Sequence, residues 1–178
     1  VSRLRHQFPA LDATKCTGCT ACWTSCPDGA VGAAVLSPAA LLESGMEAAA
    51  ARGQRADALR PMVSKLVKAA TKRLHEPDVP GRVSEVFEAA FADMTAKSPL
   101  PEDRKEGIEA AFAAAMVSLK TQTAAVTRPF WSKPEAEAPG RGGLLVLALS
   151  PDACKGCGTC IAECPEDARE IEVPQVCP

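Results

Sequence analysis

Eight of the chain's nine cysteines fall in two runs of identical spacing: Cys16-x-x-Cys19-x-x-Cys22-x-x-x-Cys26-Pro27 and Cys154-x-x-Cys157-x-x-Cys160-x-x-x-Cys164-Pro165. Coincidence does not readily produce the same spacing twice with a proline closing each copy. Thiols set this densely commit a chain to a metal centre or a disulfide framework. Disulfide frameworks belong to small secreted chains, and nothing here resembles a signal peptide. Zinc usually takes two Cys-x-x-Cys pairs or Cys/His mixtures around one ion. Here the ligands come three-plus-one, twice, in a chain with only two histidines, His6 and His75.

That pattern suits a cubane iron–sulfur cluster, which needs four thiolates around a compact cube. Two intervening residues let the chain turn and point successive sulfurs at successive irons. The residues between the thiols are small, among them Thr17, Gly18, Thr20, Ala21, Gly156, Gly158 and Thr159. They let the backbone close round a cluster and aim N–H groups at sulfur, which helps set its potential. Pro27 and Pro165 redirect the chain after the last thiol of each run. Trp23, inside the first run, is placed to shield a cluster from water. Lys15 and Lys155 flank the runs, with a charge-offsetting role open to Lys15 and plain solvent exposure expected of Lys155. Cys177 has no motif around it and reads as a free thiol.

The chain has 178 residues, 47% of them hydrophobic, and a formal net charge of −2. That balance gives no support for nucleic acid binding, and no apolar stretch approaches a membrane span. Reduced, metal-binding cysteines point to the cytoplasm. The chain begins at Val1 and stops at Cys177–Pro178, which reads as a piece of a longer polypeptide.

Between the runs lies an alanine-rich stretch with helical periodicity. Ser37–Pro38 is a start signal for a helix carrying Leu41, Leu42 and Met46, with Gly53 as its stop. A second stripe runs Leu59, Met62, Val63, Leu66, Val67, Ala70 and Leu74, with Pro61 in its first turn and an end near Glu76–Pro77. A third carries Val83, Val86, Phe87, Ala90, Phe91 and Met94, closed by Ser98–Pro99. A fourth carries Ile108, Phe112, Met116 and Leu119, led by Glu102 and Asp103 as the helix dipole favours. Four such helices with short turns predict a small antiparallel bundle. From Arg52 to Arg73 seven basic residues face Asp57 alone, and Lys65, Lys68 and Lys72 share one helical face. Pairing with the acidic helices, a solvated face, or a landing strip for an acidic partner all remain open for residues 55–73.

Arg128-Pro-Phe-Trp131 opens a Pro/Glu/Gly-rich linker, 128–139, whose aromatics anchor it on an apolar surface. Leu144–Leu149 reads as a buried strand, with Glu170–Val173 as its antiparallel partner. Ala33–Leu36 reads as a short strand after the first run. The predicted fold is α+β, a bacterial 2[4Fe–4S] ferredoxin-like domain (1–36 plus 140–178) interrupted by a helical bundle insertion (37–127).

The spacing, proline included, is that of bacterial ferredoxins. The segments Asp12–Val31 and Leu144–Pro165 resemble the dicluster ferredoxin domain of 2-oxoacid:ferredoxin oxidoreductases, most nearly the pyruvate:ferredoxin oxidoreductase group. In that family a long segment also separates the two runs. The resemblance implies that the fourth cysteine of each run ligates the other cluster. Cluster I then takes Cys16, Cys19, Cys22 and Cys164, and cluster II takes Cys154, Cys157, Cys160 and Cys26. One departure is Arg169, where an apolar residue is usual, which puts packing over cluster II in question.

The resemblance implies electron transfer from catalytic domains or subunits, which carry thiamine diphosphate, to an external ferredoxin or flavodoxin. No Gly-Asp-Gly diphosphate motif and no Rossmann or P-loop glycine pattern occurs here, so no catalytic site is expected on this chain. A free-standing carrier ferredoxin with a helical decoration is the alternative.

Overall fold

The computed structural model describes residues 8–76, 79, 82–97 and 102–172. They separate into two units: one made from the two ends of the chain, up to Val35 and from Thr123 onward, and one spanning Leu36–Gln122.

In the unit of the two ends, strand β1 (Phe8–Leu11) precedes the first cysteine run, and the short helix α1 (Ala21–Thr24) lies inside it. Strand β2 (Val31–Leu36) follows. In the Leu36–Gln122 unit come helices α2 (Pro38–Ala51), α3 (Val63–Arg73), α4 (Val83–Lys97) and α5 (Lys105–Leu119). The chain then returns to the first unit through β3 (Ala124–Ala125), α6 (Lys133–Glu137), β4 (Leu144–Leu149), α7 (Thr159–Ala162) and β5 (Arg169–Glu172).

The strands pair across the two runs, not within them. β1 is antiparallel to β5, with Leu11 opposite Arg169. β4 lies between β2 and β3 in a second sheet. The expectation that the last strand pairs with Leu144–Leu149 is therefore corrected: its partner is Phe8–Leu11, and Val173 lies outside the described residues. Two equivalent hydrogen bonds start the exchange, Asp12 N–H to Ala168 O and Ser150 N–H to Ala30 O, both 2.8 Å. Each strand entering one run thus meets the strand leaving the other.

Within the stretch 128–139 expected as a linker, residues 128–137 are helical. Trp131 N–H and Ser132 N–H both reach Thr127 O, at 2.8 and 3.2 Å, making a π-helical turn over Arg128–Ser132 that runs into α6. Trp131 is buried, and so is the Glu135 carboxylate, which accepts from Gly140 N–H and Gly142 N–H at 2.9 Å. A Cβ on Gly142 would stand 2.8 Å from the Trp131 ring and 2.9 Å from Glu135 Oε2, so any other residue there would displace the indole or the carboxylate.

In the helical unit, Ser37 caps α2 by accepting from Ala40 N–H at 3.2 Å, with Pro38 in the first turn. Arg52 ends the helix and Gly53 leaves it in a left-handed conformation, φ 75°. Pro61 sits inside a 3-10 turn, Asp57–Met62, that precedes α3. Leu41, Leu42, Leu59, Leu66, Phe87, Met116 and Leu119 are fully buried. Phe91 and Phe112 stack with centroids 4.1 Å apart. Ser98–Pro99 lie outside the described residues.

Arg73 of α3 pairs with Asp93 of α4 at 2.6 Å. Lys65, Lys68 and Lys72 are exposed and make no ion pair among the described residues.

α2 and α5 approach closely at Gly45, where a Cβ would lie 2.8 Å from Ala115 O and 3.1 Å from the Leu119 side chain. A backbone carbonyl cannot swing aside. With backbone at 2.8 Å the overpacking penalty, about 1–3 kcal/mol, sits toward its upper end and exceeds the roughly 1 kcal/mol that alanine gains over glycine in a helix. Gly45→Ala is expected to lower the stability of the helical unit by up to about 2 kcal/mol, read by urea melts at 222 nm, without changing iron content.

Candidate metal centre

The two cysteine runs place left-handed residues at the same positions, and the reason is local. Gly18 and Gly156, between the first and second thiols, take φ 76° and 68°. Thr20 and Gly158, between the second and third, take φ 74° and 77° and open the short helices α1 and α7. Two left-handed residues per run curl the chain so that three sulfurs face one hollow. Thr20 bears a β-branched side chain where such residues rarely go, so the surrounding loop holds it there. At Gly18 a Cβ would crowd the Thr127 side chain at 3.1 Å.

After the fourth thiol the repeat continues. Gly29 and Asp167 are both left-handed, φ 59° and 49°. The next residue then donates back to sulfur: Ala30 N–H to Cys26 Sγ at 3.2 Å and Ala168 N–H to Cys164 Sγ at 3.3 Å. Because the strands exchange at this point, each fourth cysteine is carried to the other run.

The outcome is two cavities. Cys16, Cys19, Cys22 and Cys164 line one, together with Leu11, Trp23 and Arg169. Cys26, Cys154, Cys157 and Cys160 line the other, together with Val31, Leu149 and Ile161. All eight are free thiols, with Cys22, Cys154 and Cys160 buried and Cys19 and Cys157 exposed. Cys177 and His6 lie outside the described residues, and His75 is exposed and lines neither cavity.

The environment of each sulfur differs. Burial pushes the Cys16 thiol up, with Gly18 N–H working against it. Burial likewise pushes Cys160 up, partly offset by the charge of Arg169. Cys26 moves down: burial opposes ionisation, but N–H groups of Val31, Ala30 and Asp28 outweigh it. Cys157 moves down through the Thr159 hydroxyl, 3.3 Å from its sulfur, and the Thr159 N–H.

Such a donor set fits an iron–sulfur cluster. It is all sulfur, which soft metals prefer, and it has N–H donors aimed at sulfur. It also includes a buried guanidinium, Arg169, whose Nε has no hydrogen-bond partner. Among the described residues no three His, Cys, Asp or Glu side chains converge as ligands of a single ion.

Two further assignments change. Arg169 stands over the cavity of Cys22, not over that of Cys154, because it follows the strand exchange. Lys155 is not simply solvated: its Nζ lies 2.5 Å from Asp28 Oδ1, linking one run to the other across the rim. Lys15 pairs with Asp12 at 3.2 Å. Sequence reading missed the Asp28–Lys155 pair, Val31 and the sulfur-directed N–H groups. Aligning the two runs would have exposed them, since it sets Ala30-Val31 against Ala168-Arg169.

Residues 9–31 and 148–170 each match the 4Fe–4S binding domain family. The chain therefore carries a dicluster ferredoxin-like domain, and its two motifs support electron transfer through iron–sulfur clusters. No curated protein and no solved structure matches the chain. Among the described residues no helix is long and apolar enough to cross a membrane.

Proposed function

We propose that the chain is the electron-wiring module of a 2-oxoacid:ferredoxin oxidoreductase. In this reading Cys16, Cys19, Cys22 and Cys164 hold one [4Fe–4S] cluster, and Cys26, Cys154, Cys157 and Cys160 hold the second. The observation that carries the electron-transfer part is the pair of cavities, each lined by three cysteines of one run and the fourth of the other. The residue patterns of Asp12–Val31 and Leu144–Pro165, and the helices between the two runs, support the choice of family.

When bound, such clusters take up and release single electrons. The chain's own residues hold the sulfurs, direct N–H groups at them, and screen them from water with Trp23 on one side and Ile161 on the other. Electrons would come from partner domains or subunits where thiamine diphosphate cleaves a 2-oxoacid. An external ferredoxin or flavodoxin would receive them.

Native mass spectrometry of the complex, isolated without oxygen, tests this. The expected result is two cubanes on this chain, continuous with or bound to a thiamine-diphosphate polypeptide. Two cubanes on a lone chain would make it a carrier ferredoxin. Zinc in both cavities would overturn the cluster reading as well.

A further inference from the structure

Arg169 is a cation buried in a place that offers it no carboxylate. It is 5% exposed, one terminal nitrogen lies 3.6 Å from Cys22 Sγ, and its Nε is orphaned. Among the described residues no acid pairs with it. A buried, unpaired guanidinium is strongly unfavourable unless an anion shares its surroundings. Its cavity is lined by four thiols, and four thiolates on a [4Fe–4S] core leave a net negative charge.

The equivalent position after the first run is Val31, which lines the other cavity. One site therefore has a buried cation where its twin has an aliphatic side chain. Other charges do not restore the balance. Lys155 lines the Cys157 cavity, but it is 68% exposed and already paired with Asp28, so solvent and its partner damp its field. Glu166, at the rim of the Cys22 cavity, is exposed and screened in the same way.

We propose that Arg169 is the counter-charge of the cluster held by Cys16, Cys19, Cys22 and Cys164, and that it raises this cluster's reduction potential above that of its twin. The inference rests on the reading of both cavities as cluster sites. A fixed positive charge favours the more negative, reduced state, and a low local dielectric strengthens the effect. A single electron shared by the two clusters then resides on the Cys16 side. The charge also reaches Cys160, so the twin feels it more weakly.

The test is an EPR-monitored redox titration of the full reconstituted chain as wild type, Arg169→Met and Arg169→Lys. The Cys16-side signal is identified as the one that Cys19→Ser alters. In Arg169→Met that midpoint is expected to fall by a factor of ten or more in the reduction equilibrium, about 59 mV for one electron, and the other to fall less. Arg169→Lys is expected to stay near wild type. Unchanged midpoints in Arg169→Met, or equal shifts in both, would overturn the proposal. So would equal effects of Met and Lys, which would make the residue a packing element. Should Arg169→Met fail to hold iron, Arg169→Gln replaces it. Failure of that neutral variant too would assign Arg169 to assembly instead. Wild type without two cubanes would sink the cluster reading itself, an outcome distinct from all of these.

Discussion

Stripped of iron by a chelator, the protein is expected to lose the fold of its two-ended unit while the helices of Leu36–Gln122 stay folded. The buried side chains of the two units differ in kind. The helical unit encloses Leu41, Leu42, Leu59, Leu66, Phe87, Met116 and Leu119. Among its described residues the other unit has small clusters, one of Ala13, Ala125 and Leu145 and one of Cys22, Val31 and Cys160, beside the buried Trp131 and Leu144. In the second, the thiols are themselves the core. Without metal, Cys16, Cys22, Cys164 and Arg169 surround a hollow that has lost its anion. Metal binding to a site absent from the unfolded chain is folding free energy, on the order of 10 kcal/mol for structural zinc sites. A small domain with so little aliphatic core cannot be expected to replace it.

The two tryptophans, Trp23 and Trp131, both lie in the two-ended unit, so their emission reports on it alone. On anaerobic chelation the emission should shift to the red, while most of the 222 nm ellipticity and a cooperative melt remain. Unchanged tryptophan emission would mean that the unit folds without metal. Simultaneous loss of both signals would mean that the units do not fold independently.

How much of this could be read from the residues depends on what sets each feature. Thiol spacing is constrained by covalent reach, so the two runs announce their chemistry directly. Helix boundaries with a strong local signal are equally legible, as at Ser37–Pro38 and Gly53, where capping and φ > 0 decide. Strand partners carry no such local signal. Glu170–Glu172 could equally have folded back on Leu144–Leu149, and only the exchange of the chain at Ala30 and Ala168 sends it to Phe8–Leu11. Composition misleads at 128–139: proline, glutamate and glycine suggest a linker. There, though, Glu135 accepts N–H groups from Gly140 and Gly142, and Thr127 O closes a wide turn. Arg169 stands out in sequence as the wrong residue type. Placing it over the correct cavity needs the strand exchange.

That exchange carries the sharpest consequence. Cys164→Ala is expected to empty or degrade the site formed by Cys16, Cys19 and Cys22, and to spare the site of its own neighbours Cys154, Cys157 and Cys160. Chain proximity argues the opposite, since Cys164 lies four residues beyond Cys160. The backbone decides between them. Pro165 and the left-handed Asp167 turn the chain away, Ala168 N–H holds the Cys164 sulfur, and β5 is committed to β1. The chain emerging from the second run therefore delivers its last thiol to the first. Cys26→Ala should mirror this and degrade the Cys154 side. Each variant is expected to lose roughly half its iron or to convert one cubane to a cluster with a missing iron. The surviving signal distinguishes them. In Cys164→Ala the intact cluster should be the one that Cys157→Ser alters, beside Val31, and adding Arg169→Met should move its midpoint only slightly. If Cys164→Ala instead spared the cluster that Cys19→Ser alters, each run would hold its own iron and the crossed arrangement would be wrong.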